Sequence, residues 1–303
     1  SALSFEAAVS GERSAAGRER RLLTVGDYSY SYLEGGAGPV VLLIHGFGGD
    51  KDHWTRFARY LTRYYRVISP DLPGFGENDR RFEDDYGLPQ QAGRLADFTR
   101  ALNLERFHIA GNSMGGAIAG LYAAENPGRI LSLGLFAAAG VSSPDKSDYL
   151  REREAGRNPL LVNSTGDFGQ LVSYLFVEPP SIPLPVAAHM ARETLRHRPF
   201  NDKVFGEIMR DALVLERRMS DIAAPTLILW GEKDRLLDVS TTEVLEAGVR
   251  DPRTVIMKDC GHLPMLERPA EAAGHYKRFL KDVRAVAERR AATDLARASA
   301  RRM

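Results

Sequence analysis

The pentapeptide Gly111-Asn-Ser-Met-Gly115 lies between a short apolar run at residues 107–110 and a small-residue stretch at residues 116–124. In that setting the G-x-S-x-G spacing predicts a sharp strand-to-helix turn. Its small flanking residues let the backbone strain and lift the Ser113 hydroxyl out of the sheet edge. Such a turn needs strands buried on both faces, and residues 40–45 (VVLLIH) read as one, a continuous apolar run of the parallel-sheet kind. Further strands are predicted at 66–69, 130–136, 226–230 and 254–257. Helices are predicted at 52–64, 89–102, 114–125, 241–247 and 270–283, the first with Trp54, Phe57, Ala58 and Leu61 at helical spacing. A hairpin, 21–25 and 28–33 around Gly26-Asp27, precedes them. The alternation implies an α/β fold with a mostly parallel central sheet flanked by helices.

The alternation breaks at residues 141–220, where charged, helix-prone pieces surround the proline cluster at 178–185. This segment reads as an inserted helical cap, or lid. Residues 1–140 and 221–288 are then the two parts of one core, and 289–303 a basic tail with Arg289, Arg290, Arg297, Arg301 and Arg302 against Asp294. At about 150 residues per domain, a chain of 303 residues fits one large domain with an insertion. Within the cap, Leu171, Tyr174, Leu175 and Phe176 supply the apolar lining expected of a substrate pocket between cap and core, with Leu263 beside them.

Charge excludes one class of partner. The 41 basic and 40 acidic residues leave a net charge of +1, so the molecule has no field that would favour nucleic acid. Cys260 is the single cysteine, which rules out an intramolecular disulfide and a cysteine metal cluster. The histidines lack H-E-x-x-H spacing, and the glycines at 46–49 lack a following Gly-Lys-Ser/Thr, so neither a metal site nor a phosphate-cradling loop is expected. No cofactor is expected. The longest apolar stretch, 130–141, is shorter than the roughly 20 residues that span a bilayer. The chain starts at Ser1 without methionine, and the expectation is that a processed signal or anchor precedes it.

A serine hydroxyl is a weak nucleophile near neutral pH and needs a base and a group that orients the base. Asp234 follows the strand at 226–230 and His262 the strand at 254–257, giving the chain order Ser113, Asp234, His262. Asp238, one turn further on, is a rival acid. His45, His53, His108, His189, His197 and His275 read as packing or surface residues. Two backbone N–H groups are candidates for stabilising a tetrahedral oxyanion: Phe47, in the glycine turn 45–49, and Met114, after the serine at a helix N-terminus. Asp71, in the tight turn 71–76, reads as a brace for that loop.

Together the segments HGFGGDKDHW, DLPGFGE, GNSMGG, LILWGEKDRLLDVS and DCGHLPMLERP resemble the α/β-hydrolase superfamily over about residues 22–280. Within it they resemble membrane-anchored monoacylglycerol lipases and related bacterial lipases and phospholipases. The resemblance implies ester hydrolysis on acyl lipids, Ser113, Asp234 and His262 as triad, no cofactor, and association with a membrane surface. A homodimer stays open. GNSMGGA also resembles the carbon–carbon bond hydrolases of aromatic degradation. Those enzymes have a proline in the oxyanion loop and a Trp after the histidine, where this chain has Gly46-Phe-Gly-Gly49 and Leu263. A serine at the elbow sets aside the relatives that use an aspartate nucleophile. A non-catalytic ligand-binding member of the fold is the remaining alternative.

Overall fold

The computed structural model describes residues 2–300. Eight strands form one sheet: β1 (Arg18–Val25), β2 (Tyr28–Gly35), β3 (Val40–Ile44), β4 (Arg66–Pro70), β5 (Phe107–Asn112), β6 (Ile130–Phe136), β7 (Thr226–Gly231) and β8 (Pro252–Met257). Their spatial order is β1-β2-β4-β3-β5-β6-β7-β8. β1 and β2 pair antiparallel, as do β2 and β4, and every later pairing is parallel. From β3 the chain steps one way to β4 and the other way to β5. The C-terminal ends of β3 and β5 therefore flank the switch point at which open α/β sheets place their sites.

The helices are α1 (Ala2–Ala15), α2 (Thr55–Ala58), α3 (Leu88–Ala101), α4 (Met114–Glu125), α5 (Asp148–Glu154), α6 (Asp167–Leu175), α7 (Leu184–Arg196), α8 (Arg198–Arg210), α9 (Thr241–Gly248), α10 (Pro264–Glu267) and α11 (Pro269–Ala300). Residues 141–220 hold α5–α8 between β6 and β7, and no strand among the described residues.

Alternation along β3 shows how the sheet is covered. Leu42 and Ile44 enter one core cluster, with Phe98, Ile109, Tyr122 and Trp230. Val41 and Leu43 enter the other, with Trp54, Phe57, Phe136 and Tyr276. All four β3 side chains are fully buried, which is why the strand reads as an unbroken apolar run. On the second face Phe136 meets both Trp54 and Phe57 edge-on, at 5.3 and 5.6 Å between ring centroids.

Two expected helices are corrected in extent, and one helix is new. The helix expected at 52–64 is a 3₁₀ turn, Lys51–Trp54, then the four-residue α2, then turns. Trp54, Phe57, Ala58 and Leu61 are buried as their spacing implies. At the start of that turn Lys51 reaches the buried Asp71 carboxylate with both its backbone N and its Nζ, at 2.7 and 2.9 Å. The helix expected at 270–283 runs on to residue 300 as one helix of 32 residues, α11. Beyond Gly274 its sequence is rich in Ala, Arg and Glu, with no proline to stop it. Tail residues Arg301 and Arg302 lie outside the described residues. Helix α1 was not expected: it is weakly amphipathic, and it is tied to the core by Arg13, which donates to Asp52 at 2.7 Å.

Buried polar side chains brace the sheet. His108, on β5, is buried with Nδ1 at 2.7 Å from Ser132 Oγ on β6. Burial lowers its pKa from the ordinary 6.5 to about 4. The imidazole is therefore neutral in the fold but protonates in the unfolded chain below pH 6.5, so stability is complete above pH 6.5 and is lost as pH falls toward 4. Between pH 7.5 and 5 this residue alone costs about 2 kcal/mol of stability. His108→Gln is expected to remove that share, so urea unfolding at the two pH values should show the variant losing less stability than the wild type; equal losses would refute the assignment.

Candidate active site

β5 delivers Ser113 into a turn with φ 54° and ψ −121°, a conformation that non-glycine residues rarely adopt. Hydrogen bonds hold it there: Ser113 N donates to Phe136 O and Ala137 O at 3.0 and 3.1 Å, and Ala139 N donates to Ser113 O at 2.9 Å. The flanking glycines permit the close approach. A Cβ on Gly111 would collide with the Gly115 carbonyl, and one on Gly115 with the carbonyls of Ile44 and His45. Residues 107–124 are buried except for Ser113, which is half-buried.

Asp234 and His262 are brought together. His262 Nδ1 donates to Asp234 Oδ2 at 2.7 Å, and both side chains are buried. The other carboxylate oxygen accepts from Leu236 N at 2.8 Å and Leu237 N at 3.0 Å. With Nδ1 committed to Asp234, Nε2 is the ring nitrogen left to accept a proton. The two loops are stitched through backbone: Glu232 N to Met257 O and Lys233 N to Cys260 O, each 2.9 Å. Among the described residues Asp238 makes no hydrogen bond to His262; its carboxylate accepts from Ser240 N at 2.9 Å, ahead of α9. Cys260, buried in the same loop, has its thiol pushed up to about 12 by burial.

Ser113 makes no hydrogen bond to His262 among the described residues, a looseness common in unliganded sites. Asn112 links them instead. Its Nδ2 donates to His262 O at 3.1 Å and to Phe136 O at 3.0 Å, from a side chain that is 1% exposed. Sequence reading missed this residue, because the x positions of G-x-S-x-G carry no signal of their own. It also missed Glu267, whose carboxylate accepts from Gly261 N at 2.9 Å and from Glu178 N at 2.9 Å, tying the His262 loop to the chain after α6.

The glycine turn after β3 lies against the elbow: a Cβ on Gly46 would stand 3.2 Å from Ser113 Cβ. Gly46 O accepts from Gly49 N at 3.1 Å and from His45 Nδ1 at 2.8 Å, while Leu72 N donates to His45 Nε2 at 2.9 Å. His45 is thus held as the neutral Nδ1–H tautomer, and burial lowers its pKa to about 4. Phe47 N and Met114 N have no acceptor among the described residues.

Of the residues expected to line the substrate pocket, Tyr174 and Leu263 are buried and Leu171, Leu175 and Phe176 half-buried. Leu175 and Phe176 pack on the α11 side of the sheet, and Leu175 O accepts from His262 N at 2.9 Å. A cavity of about 810 Å³ opens beside α6; Phe176, Val172 and Asp234 line it together with charged groups such as Lys146, Arg151 and Lys233. Among the described residues no group of three or more His, Cys, Asp or Glu side chains is placed to hold a metal ion.

Comparison with known proteins follows the same lines. The model of the Alpha/beta hydrolase family matches residues 41–274. Lipase 3 of Moraxella sp. (strain TA144) is 38% identical over 275 residues, which cover 88% of this chain and 86% of that protein. Monoacylglycerol lipase abhd6-B of Xenopus laevis is 32% identical over 285 residues, covering 89% and 85%. The crystal structure of a membrane phospholipase A, described as a novel bacterial virulence factor, superposes with a TM-score of 0.92 at 44% identity, covering 93% of this chain and 92% of that one.

The strain at position 113 can be measured. Glycine adopts the elbow conformation freely, whereas alanine keeps the clash. After allowing for glycine's greater unfolded-state entropy, Ser113→Gly should be more stable than Ser113→Ala by about 1 kcal/mol. A thermal melt in which the alanine variant is the more stable would show that the elbow is unstrained.

Proposed function

The chain belongs to the alpha/beta hydrolase family, and on that premise we propose that it is a serine ester hydrolase acting on acyl lipids through an acyl-enzyme on Ser113. The observation that carries the reading is the buried 2.7 Å hydrogen bond from His262 to Asp234, joined through Asn112 to a strained, half-buried serine. His262 Nε2 takes the Ser113 proton as Oγ attacks the ester carbonyl, and Asp234 stabilises the imidazolium that forms. The oxyanion is met by Phe47 N–H and Met114 N–H, the second at the N-terminus of α4. His262 then gives its proton to the departing alcohol. Water, activated by the same nitrogen, releases the acid and frees Ser113.

Support for a lipid substrate comes from the relatives named lipase, monoacylglycerol lipase and membrane phospholipase A. The acyl chain is assigned to the apolar side chains around α6, Leu171, Tyr174, Leu175 and Phe176, and to Leu263, where each buried methylene adds about 0.8 kcal/mol. Work at a membrane surface fits those relatives, although no helix among the described residues is long and apolar enough to cross a membrane.

Fatty-acid release from monoacylglycerols, lysophospholipids, phospholipids and p-nitrophenyl esters, with Ser113→Ala as the blank, tests the reading. Activity is expected to depend on Ser113 and to hold or rise from acetate to octanoate. A peak at acetate that collapses by octanoate would remove the acyl-chain assignment, and silence on every ester would remove the esterase. Asp234→Asn should lower kcat by about 10³–10⁴ while leaving the protein folded, since it inverts the tautomer preference of His262; near-wild-type turnover would mean that another group orients the base.

A further inference from the structure

One side chain is shared by the glycine turn after β3 and the helices inserted between β6 and β7. Phe47 stands between Gly46 and Gly48, and Gly48 has φ 69°, so this stretch of backbone has little stiffness of its own. Its carbonyl side is held by the hydrogen bonds from His45 Nδ1 and Gly49 N to Gly46 O. A trans peptide is planar, so a Gly46 carbonyl turned toward His45 aims the Phe47 N–H the opposite way. The ring is held separately, edge-on, by two others. Phe75, in the turn after β4, is 6.0 Å away between centroids at 81°, and Phe205, on α8, is 5.8 Å away at 68°. Phe75 in turn meets His45 edge-on at 5.5 Å. On the far side the Arg153 guanidinium of α5 sits over the Phe205 ring at 5.2 Å, leaving Phe205 only 8% exposed. A continuous run of contacts, Arg153–Phe205–Phe47–Phe75–His45, therefore joins the inserted helices to the backbone that carries an oxyanion donor.

We propose that Phe205 is a positioning residue for the Phe47 N–H, so that transition-state stabilisation depends on how α8 is seated against the core. The proposal rests on the serine-hydrolase reading above. Phe75 belongs to the core and is present whatever the inserted helices do. Phe205 is the partner that leaves if they move, and its loss frees a glycine-flanked peptide whose hydrogen bonds restrain only the carbonyl side. An N–H that has drifted from the oxyanion weakens binding of the transition state more than binding of the ester, so the loss appears in kcat rather than KM.

The test uses the whole chain and a short ester, p-nitrophenyl butyrate. Phe205→Ala is expected to lower kcat about tenfold with KM within about twofold, and Phe205→Tyr, which keeps an edge-on ring, to restore most of it. The apparent pKa of kcat/KM should stay at the wild-type value, since Asp234 and His262 are untouched. Where the alanine variant fails to fold, Phe205→Leu keeps the apolar volume without the ring and should show the same drop in kcat. Wild-type kcat in the ring-deleted variants, or a raised KM at unchanged kcat, overturns the proposal by making Phe205 a pocket wall. A wild-type enzyme with no Ser113-dependent ester turnover overturns it together with its parent reading, which separates the two failures.

Discussion

A serine backbone at φ 54°, ψ −121° costs of order 1–3 kcal/mol and persists only where its surroundings over-determine it. Here β5 enters from one side as a strand with every residue buried. α4 leaves on the other, and Gly111 and Gly115 approach backbone carbonyls so closely that no Cβ fits. The carbonyls that receive Ser113 N belong to the end of β6, and the backbone against Gly115 belongs to the end of β3. The elbow thus draws on three adjacent strands at once, which explains why it sits at the switch point of the sheet rather than at its rim.

The polar groups around the elbow are satisfied in a way that leaves specific atoms free. His45 uses one ring nitrogen on Gly46 O and the other on Leu72 N. Asp234 accepts two backbone N–H groups besides His262. Cys260, in the same loop as His262, is kept a neutral thiol by burial. Without a protein partner among the described residues are two backbone donors, Phe47 N and Met114 N, and the buried Asn112 Oδ1. Two unpaired donors beside a strained serine are the arrangement on which the proposed anion site rests.

How much of this is legible without coordinates depends on where each residue finds its partner. Ser113 is legible because the strand, the turn glycines and the small-residue helix are contiguous in the chain. Asp234 and His262 are legible because each follows a strand, and parallel strands place their C-terminal ends together. Asn112 and Glu267 are not: their partners are backbone groups, most of them in distant segments, and a backbone N–H or C=O looks the same in every sequence. Phe205 is hidden for a related reason, since an apolar residue on an inserted helix has many possible partners by pattern and finds Phe47 and Arg153 only by packing. The short α2 shows local periodicity outvoted. The apolar spacing from Trp54 to Leu61 correctly marks the buried face, while the chain there takes a 3₁₀ turn at Lys51–Trp54, with Lys51 paired to the buried Asp71.

The inserted helices are joined to the site by unlike kinds of attachment. At the end of α6 the links are hydrogen bonds with fixed direction, from His262 N to Leu175 O and from Glu178 N to the Glu267 carboxylate. At α8 the link to Phe47 is a ring contact, which tolerates sliding and tilt at small cost compared with a hydrogen bond. α7, between them, meets α1 through the rings of His189 and Phe5, 4.9 Å apart, and α1 is anchored to the core through Arg13. α8 itself is also held to the core by directional links, from Tyr86 N to the Glu207 carboxylate at 2.9 Å and from Arg210 to the Asp85 carboxylate at 2.9 Å. The His262 loop thus meets the inserted segment through hydrogen bonds, whereas the Phe47 ring meets α8 through van der Waals contact. On the proposed reading the two halves of the acyl-transfer machinery are therefore unequal: the His262–Asp234 pair is fixed by hydrogen bonds within the core, and the Phe47 donor takes part of its side-chain support from the inserted helices.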